Sequence, residues 1–269
     1  MLKVSRSGYY EWRDRPPSRR DLDDAYLANT IVDIHRMSRC SYGAPRVHAE
    51  LSLGMGVRVG RKRVARLLRT VGRRGISHRH KRRHQPAAAV HDDLVQRRFV
   101  ADEPDRLWCT DITEHPTRAG KVYCCAVLDV FSRVVVGWSI ADHMRSDLVV
   151  DALQMAIWRR RPEAGTIVHA DRGSQYTSWV FGHRLRDAGL LGSMGRVASS
   201  VDNTMIESFW STMQRELLDQ TSWETPEELG SAIFEWIEAW YNPRRRHTAL
   251  NMLSPIEFEA LHTAVNPAA

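Results

Sequence analysis

The sequence contains no hydrophobic run near the ~20 residues that would span a bilayer. It has no apolar leader after Met1-Leu2-Lys3-Val4-Ser5-Arg6, so neither a membrane span nor a signal peptide is indicated and a cytoplasmic protein is expected. Cysteine is scarce. The four present, Cys40, Cys109, Cys124 and Cys125, lack the spacing of a disulfide framework or a zinc site. Adjacent Cys124 and Cys125 would point to opposite faces of a strand, which predicts buried free thiols in a reducing compartment. A third absence is local: from Leu51 to His91 there is no Asp or Glu, but there are twelve Arg or Lys. The rest of the chain sets 27 basic residues against all 32 acids, so this one segment supplies the net charge of +7. A basic stripe confined to one segment favours contact with a polyanion there. Length (269 residues), 43% hydrophobic and 26% charged content suit one large globular domain with a small one beside it.

Taken in order, residues 1–20 read as the end of an element that begins elsewhere. A period near 3.6 in Leu22, Ala25, Tyr26, Asn29, Ile31, Ile34 and Met37 predicts a helix over Asp21 to Met37. Pro45 opens a second helix to about Leu53, and Gly54 and Gly56 end it. A third helix follows Gly60, with Val64, Leu67, Leu68 and Val71 inward and Arg61, Lys62, Arg66 and Arg69 outward, closed by Gly72. Three short helices ending in a basic one suggest a helix-turn-helix-like module at 21–72 whose Arg61, Lys62, Arg63, Arg66, Arg69, Arg73 and Arg74 face DNA. Residues 73–103 read as a basic linker.

From 104 to 262 the pattern is α/β. Strands are expected at Arg106–Thr113, Lys121–Val130 and Arg133–Ile140, with Asp129 as a turn residue of the hairpin at Phe131-Ser132. A helix capped by Ser146 follows, then a strand over Thr166–Ala170, a helix over Gln175–Ala188, and a short strand at Leu190-Leu191. A further helix carries Glu207, with Asp202 as a possible cap and Ile206, Phe209, Trp210, Met213 and Leu217 as its packed stripe. Glu207 falls off that stripe, on a face with Asn203, Ser211 and Gln214. The last helix opens on the capping box Thr225-Pro226-Glu227-Glu228. This is the element order of a ribonuclease H-like fold, although any alternating α/β sheet gives something similar.

Two of the 32 acids sit where acids need a reason. Asp111 interrupts a strand centre, where Asp is disfavoured. Asp171 ends an apolar strand at its carboxyl end, where open α/β sheets place their sites. Glu207 joins them, 35 residues beyond Asp171. Lone histidines such as His115, His143 and His183 have no partner spacing.

Three stretches then carry a resemblance. Trp108-x-x-Asp111-Ile112-Thr113, His169-x-Asp171-Arg172-Gly173-Ser174-Gln175-Tyr176 and Asp202-Asn203-x-x-x-Glu207-Ser208-Phe209 resemble the integrase core of bacterial insertion-sequence transposases. The match is nearest to the second-frame protein of the "insertion sequence three" family. Tyr42-Gly43-Ala44-Pro45-Arg46-Val47, Val127 to Arg133 with Gly137-Trp138, and Tyr241-Asn242-Pro243-Arg244-Arg245-Arg246-His247 with Ser254 to Phe258 extend it over nearly the whole chain. The resemblance implies a triad of Asp111, Asp171 and Glu207 binding two magnesium or manganese ions, whose hard character suits oxygen ligands. It implies hydrolysis at the element's terminal inverted repeats followed by strand transfer of a 3′-hydroxyl into target DNA. That route needs no covalent enzyme intermediate, and the sequence offers no evident Ser, Cys or Tyr nucleophile. Arg172, Gln175 and Tyr176 are expected to line the strand channel, with Asn203 beside Glu207. The family's basic residue seven positions after the glutamate is Gln214 here, with Arg215 next to it. Assembly on two element ends implies a homo-oligomer, in a nucleoid-associated bacterial setting. An upstream-frame protein is expected as fusion or partner, so that this chain is the catalytic half. Two other readings are a different ribonuclease H-like nuclease and a non-catalytic regulator that occupies element ends.

Overall fold

The computed structural model describes residues 18–76, 99–171, 173–194 and 204–265, with a few isolated positions (5–8, 10, 16 and 95). They form two compact units, Met1–Ser77 and His78–Ala269. Most of 1–20 and of the expected linker therefore lies outside the described residues. Among those described, no helix is long and apolar enough to cross a membrane.

The first unit is helical. Helix α1 (Arg19–Met37) starts two residues before the expected Asp21, because Ser18 and Asp21 form a capping box in which each side chain accepts from the other's backbone N–H. Helix α2 (Ala44–Ala49) follows Gly43 with Pro45 in its first turn and continues through a wide, π-type turn at Glu50–Gly54. Helix α3 (Arg61–Thr70) buries Val64, Leu67 and Leu68. The chain then crosses back over the 41–43 segment, with Ile76 N–H donating to Ser41 O at 3.0 Å. At the crossing Gly75 is required: a Cβ there would meet Gly43 N at 2.2 Å.

The second unit is a five-stranded sheet in the order β3-β2-β1-β4-β5. Strands β1 (Leu107–Thr117), β2 (Gly120–Asp129) and β3 (Val135–Ala141) form an antiparallel meander, while β4 (Ile167–Ala170) and β5 (Leu191–Met194) run parallel to β1. Both cysteines of β2 are buried, as expected, because helices cover both faces. On one face Trp108, Cys125, Val127, Val168 and Ala170 pack with α4 (Ser146–Arg160) and α5 (Trp179–Asp187). Gly137 of β3 admits α4 closely, since a Cβ there would lie 2.2 Å from Ala152 O and 2.8 Å from Ala156 Cβ. α6 (Thr204–Glu216) packs against β1, and α7 (Pro226–Glu235), which continues as a wide turn over Trp236–Tyr241, packs against β2. Phe209, Trp236 and Tyr241 interlock between these two helices at centroid distances of 5.0–5.9 Å. Helix α8 (Pro255–Val265) ends the described chain.

Boundaries in the second unit also depart from expectation, β1 running on past the expected Thr113 to Thr117 in its pairing with β2. β3 begins at Val135 rather than Arg133, because Asp129 accepts from Ser132 N and Oγ and Arg133 turns left-handed (φ 61°). Arg145, not Ser146, occupies the cap position of α4, without a side-chain cap bond. α5 begins at Trp179 rather than Gln175, because Ser178 Oγ accepts from Phe181 N and residues 174–177 form turns. The last strand is longer than Leu190-Leu191 and runs on to Met194. Asp202, the expected cap of α6, lies outside the described residues.

Candidate active site

Strand register places two of the three acids side by side. Thr110 pairs with Ala170 at the end of the parallel β1–β4 contact, so Asp171, the first residue beyond β4, follows beside Asp111 of β1, the two strands lying about 4.8 Å apart. Asp111 pairs with Ala126 on β2 and therefore shares the sheet face covered by α6, opposite the α4 face. From α6, Trp210 reaches that face, and its indole Nε1–H donates to Asp111 Oδ2 at 3.0 Å.

The electrostatics follow from this placement. Burial, with Asp171 close by, pushes the Asp111 carboxyl up to about 7, against the opposing effect of hydrogen bonds from Ile112 N–H and Trp210. Glu207 adds a smaller upward push. Its own carboxyl is raised by burial alone, so the Asp111–Glu207 coupling is the weak one of the set. Asp171 is exposed at the strand end and accepts from Gly173 N–H at 2.9 Å. Among the described residues no Arg or Lys pairs with any of the three carboxylates. Nor do any three Asp, Glu, His or Cys side chains converge there as a finished metal cluster. The site is thus a coupled Asp pair with a third acid exposed on the adjoining helix. In kind, an all-oxygen set with excess negative charge and no protein cation fits a hard divalent ion.

Of the expected DNA-facing residues, Tyr176 is placed otherwise, and Gln175, Gln214, Arg63 and Arg66 have side-chain partners within the chain. Tyr176 is buried at 2% exposure and lies on the α4 face, its hydroxyl 3.4 Å from Thr110 Oγ1 and 3.7 Å from Cys125 Sγ. A buried ring cannot line an open channel; instead it ties the loop after Asp171 to β1 from beneath. Gln175 donates Nε2–H to Met144 O at 2.9 Å, which joins that loop to the β3–α4 connection. Gln214 donates to Asp219 Oδ1 at 2.6 Å, and Arg215, half-buried, offers its backbone carbonyl to Gln220. Arg172 and Asn203 lie outside the described residues. In the first unit Arg63 and Arg66 both pair with Asp24 of α1, Arg63 Nε at 2.6 Å. These two cations therefore brace α3 on α1, Arg66 remaining exposed like the unbraced Arg61, Lys62, Arg69, Arg73 and Arg74.

The carboxyl-terminal stretch Tyr241 to His247 is structural. Asn242 brackets the start of β3, accepting from Val135 N at 2.9 Å and donating to Val135 O at 3.0 Å. Arg245 makes a two-pronged, fully buried pair with Glu216 at the end of α6, at 2.8 and 2.7 Å. Arg246 pairs with Glu257 at 2.6 Å. The site residue that sequence reasoning missed is Trp210. Its signal was its position three residues after Glu207, on the same helical side, but an indole inside an apolar stripe reads as core.

Two "Integrase core domain" family models match residues 101–200 and 189–255, and an "HTH-like domain" model matches residues 21–82. The Lactococcus lactis "Transposase for insertion sequence element IS904" is 36% identical over 91% of this chain and 98% of its own length. The Escherichia coli "Transposase InsF for insertion sequence IS3A" is 35% identical over 96% of this chain and 91% of its own. Among solved structures, the chain is similar to the simian T-cell lymphotropic virus intasome at 13% identity (85% of this chain and 74% of that one, TM-score 0.48). It is also similar to the HTLV-2 integrase catalytic core domain at 15% (60% and 99%, TM-score 0.45). Identity at this level over nine-tenths of both partners extends through the helical unit as well as the sheet, and on that ground the chain belongs to the insertion-sequence transposases of the "insertion sequence three" family, with an HTH-like domain ahead of an α/β integrase core.

Proposed function

We propose that Asp111, Asp171 and Glu207 hold divalent metal, two magnesium or manganese ions per site, and that this site cuts the ends of the element and joins the exposed 3′-hydroxyl to target DNA. The observation that carries this reading is that Asp171, just beyond the end of β4, lies close enough to Asp111 of the adjacent parallel strand to raise its carboxyl, with no Arg or Lys among the described residues to balance them. Metal held there would supply Lewis acidity to the attacking and departing oxygens of a phosphodiester. The chain's own part is to fix the geometry. β1 holds Asp111, the end of β4 delivers Asp171 beside it, α6 offers Glu207 from its exposed side, and Trp210 holds one Asp111 oxygen. Asp111 must give up its proton to bind a cation, so metal affinity should rise toward pH 7 and above.

The DNA would be the terminal inverted repeats and the target, gripped electrostatically by Arg61, Lys62, Arg69, Arg73 and Arg74. Holding two ends at once calls for at least a dimer on DNA, with the upstream-frame protein as fusion or partner, in the bacterial nucleoid. In the test, the chain with magnesium or manganese and an end-repeat duplex is expected to cleave and join. Glu207→Gln should bind the same duplex and do neither. Equal joining by Glu207→Gln would remove Glu207 from the site.

A further inference from the structure

The indole of Trp210 makes the one side-chain hydrogen bond that Asp111 receives among the described residues. It does so from the helix that carries Glu207, one turn away. The ring is half-buried and rests on Phe209 at a centroid distance of 4.7 Å, so its plane is set by packing before its N–H meets the carboxylate. A carboxylate held through one oxygen loses rotational freedom about its χ2 torsion, which is otherwise broad, and ligand-orienting partners of this kind tune metal affinity. The same bond fixes α6 against β1 at the height of the site, while the buried Glu216–Arg245 pair fixes its far end. On the sheet's other face Tyr176 reaches Thr110, so the loop after Asp171 is tied to β1 as well.

We infer that Trp210 is a positioning residue, joining the Glu207 helix to the Asp111 carboxylate so that the three acids form one metal-binding unit. This rests on the reading of the triad as a metal site. In this role Trp210 acts through the Asp111 carboxylate that it holds, from the helix that carries Glu207.

Two substitutions separate positioning from packing. Trp210→Phe keeps the ring on Phe209 and removes the donor. Trp210→Gln keeps an N–H donor and removes the ring. Manganese binding to the full chain without DNA, followed by the electron paramagnetic resonance of the free ion, gives a readout apart from turnover. Trp210→Phe is expected to need about tenfold more Mn²⁺ for half-saturation. With an end-repeat duplex it should lose kcat by a similar factor, with KM for DNA and the melting temperature unchanged. Trp210→Gln should bind Mn²⁺ more tightly than Trp210→Phe despite its poorer packing. The inference is overturned if Trp210→Phe binds Mn²⁺ like the wild type, if Trp210→Gln is the weaker binder of the two, or if Trp210→Phe loses melting temperature and DNA binding together. Asp111→Asn is the control for the underlying reading. If it binds Mn²⁺ as the wild type does, the metal site itself is wrong; if it loses binding while Trp210→Phe does not, only the positioning role falls.

Discussion

Burial and the neighbouring Asp171 raise the Asp111 carboxyl to about 7, so in the metal-free protein its ionisation opposes folding. At acid pH the group is protonated in both states. As pH rises above its ordinary value of 3.8, the unfolded chain gives up the proton first. The folded state then carries a growing cost, complete above pH 7. Metal-free Asp111→Asn should therefore melt higher than the wild type at pH 8, by about 1–2 kcal/mol once solvent screening is allowed for. That difference should shrink toward pH 4. Melts at the two pH values check this, and a pH-independent difference counts against it. Excess magnesium at pH 8 should raise the melting temperature of the wild type and leave Asp111→Asn unmoved, since only the former binds it.

Among the elements, α6 bears the greatest structural demand, because it presents Glu207 at one end and buries Glu216 at the other. Removing one partner of the Glu216–Arg245 pair leaves a charge stranded in the core. Arg245→Met should cost about 3–5 kcal/mol, and Glu216→Gln added to it should restore much of the loss. Denaturant unfolding measures both, and an Arg245→Met chain as stable as the wild type would contradict the burial of that pair. The elements were legible in the sequence where a pattern is local. The apolar run of β2, the acid breaking into β1 and the strand that delivers Asp171 all announce themselves within a few residues. The start of α5 was not legible, because Gln175 to Thr177 suit a helix and only the Ser178 cap bond decides against it. The bracing of α3 was hidden too, since Asp24 lies 39 and 42 residues from Arg63 and Arg66. Trp210 was passed over because hydropathy scores an indole by its ring and is blind to its N–H.

Across the whole molecule, the proposed function puts the exposed cations of α3 and the three acids in different units, so substitutions should separate grip from chemistry. Arg61→Ala, Lys62→Ala and Arg69→Ala together should weaken DNA binding on any sequence. They should also flatten the dependence of log affinity on log salt by about 1 for each phosphate no longer neutralised, with cleavage unchanged at saturating DNA. Arg63→Ala should act differently, loosening α3 from α1 through Asp24 and lowering the melting temperature. A salt slope unmoved by the triple substitution would remove α3 from the DNA interface. The claim on which everything else depends is that the acids bind the metal directly, and exposed Asp171 is the place to ask. A thiolate is a poor ligand for magnesium and a better one for softer manganese. Strand joining by Asp171→Cys, measured in each metal on the same end-repeat duplex, is therefore the most direct test. Direct coordination predicts no product in magnesium and restored product in manganese; equal joining in magnesium by Asp171→Cys and the wild type would contradict it.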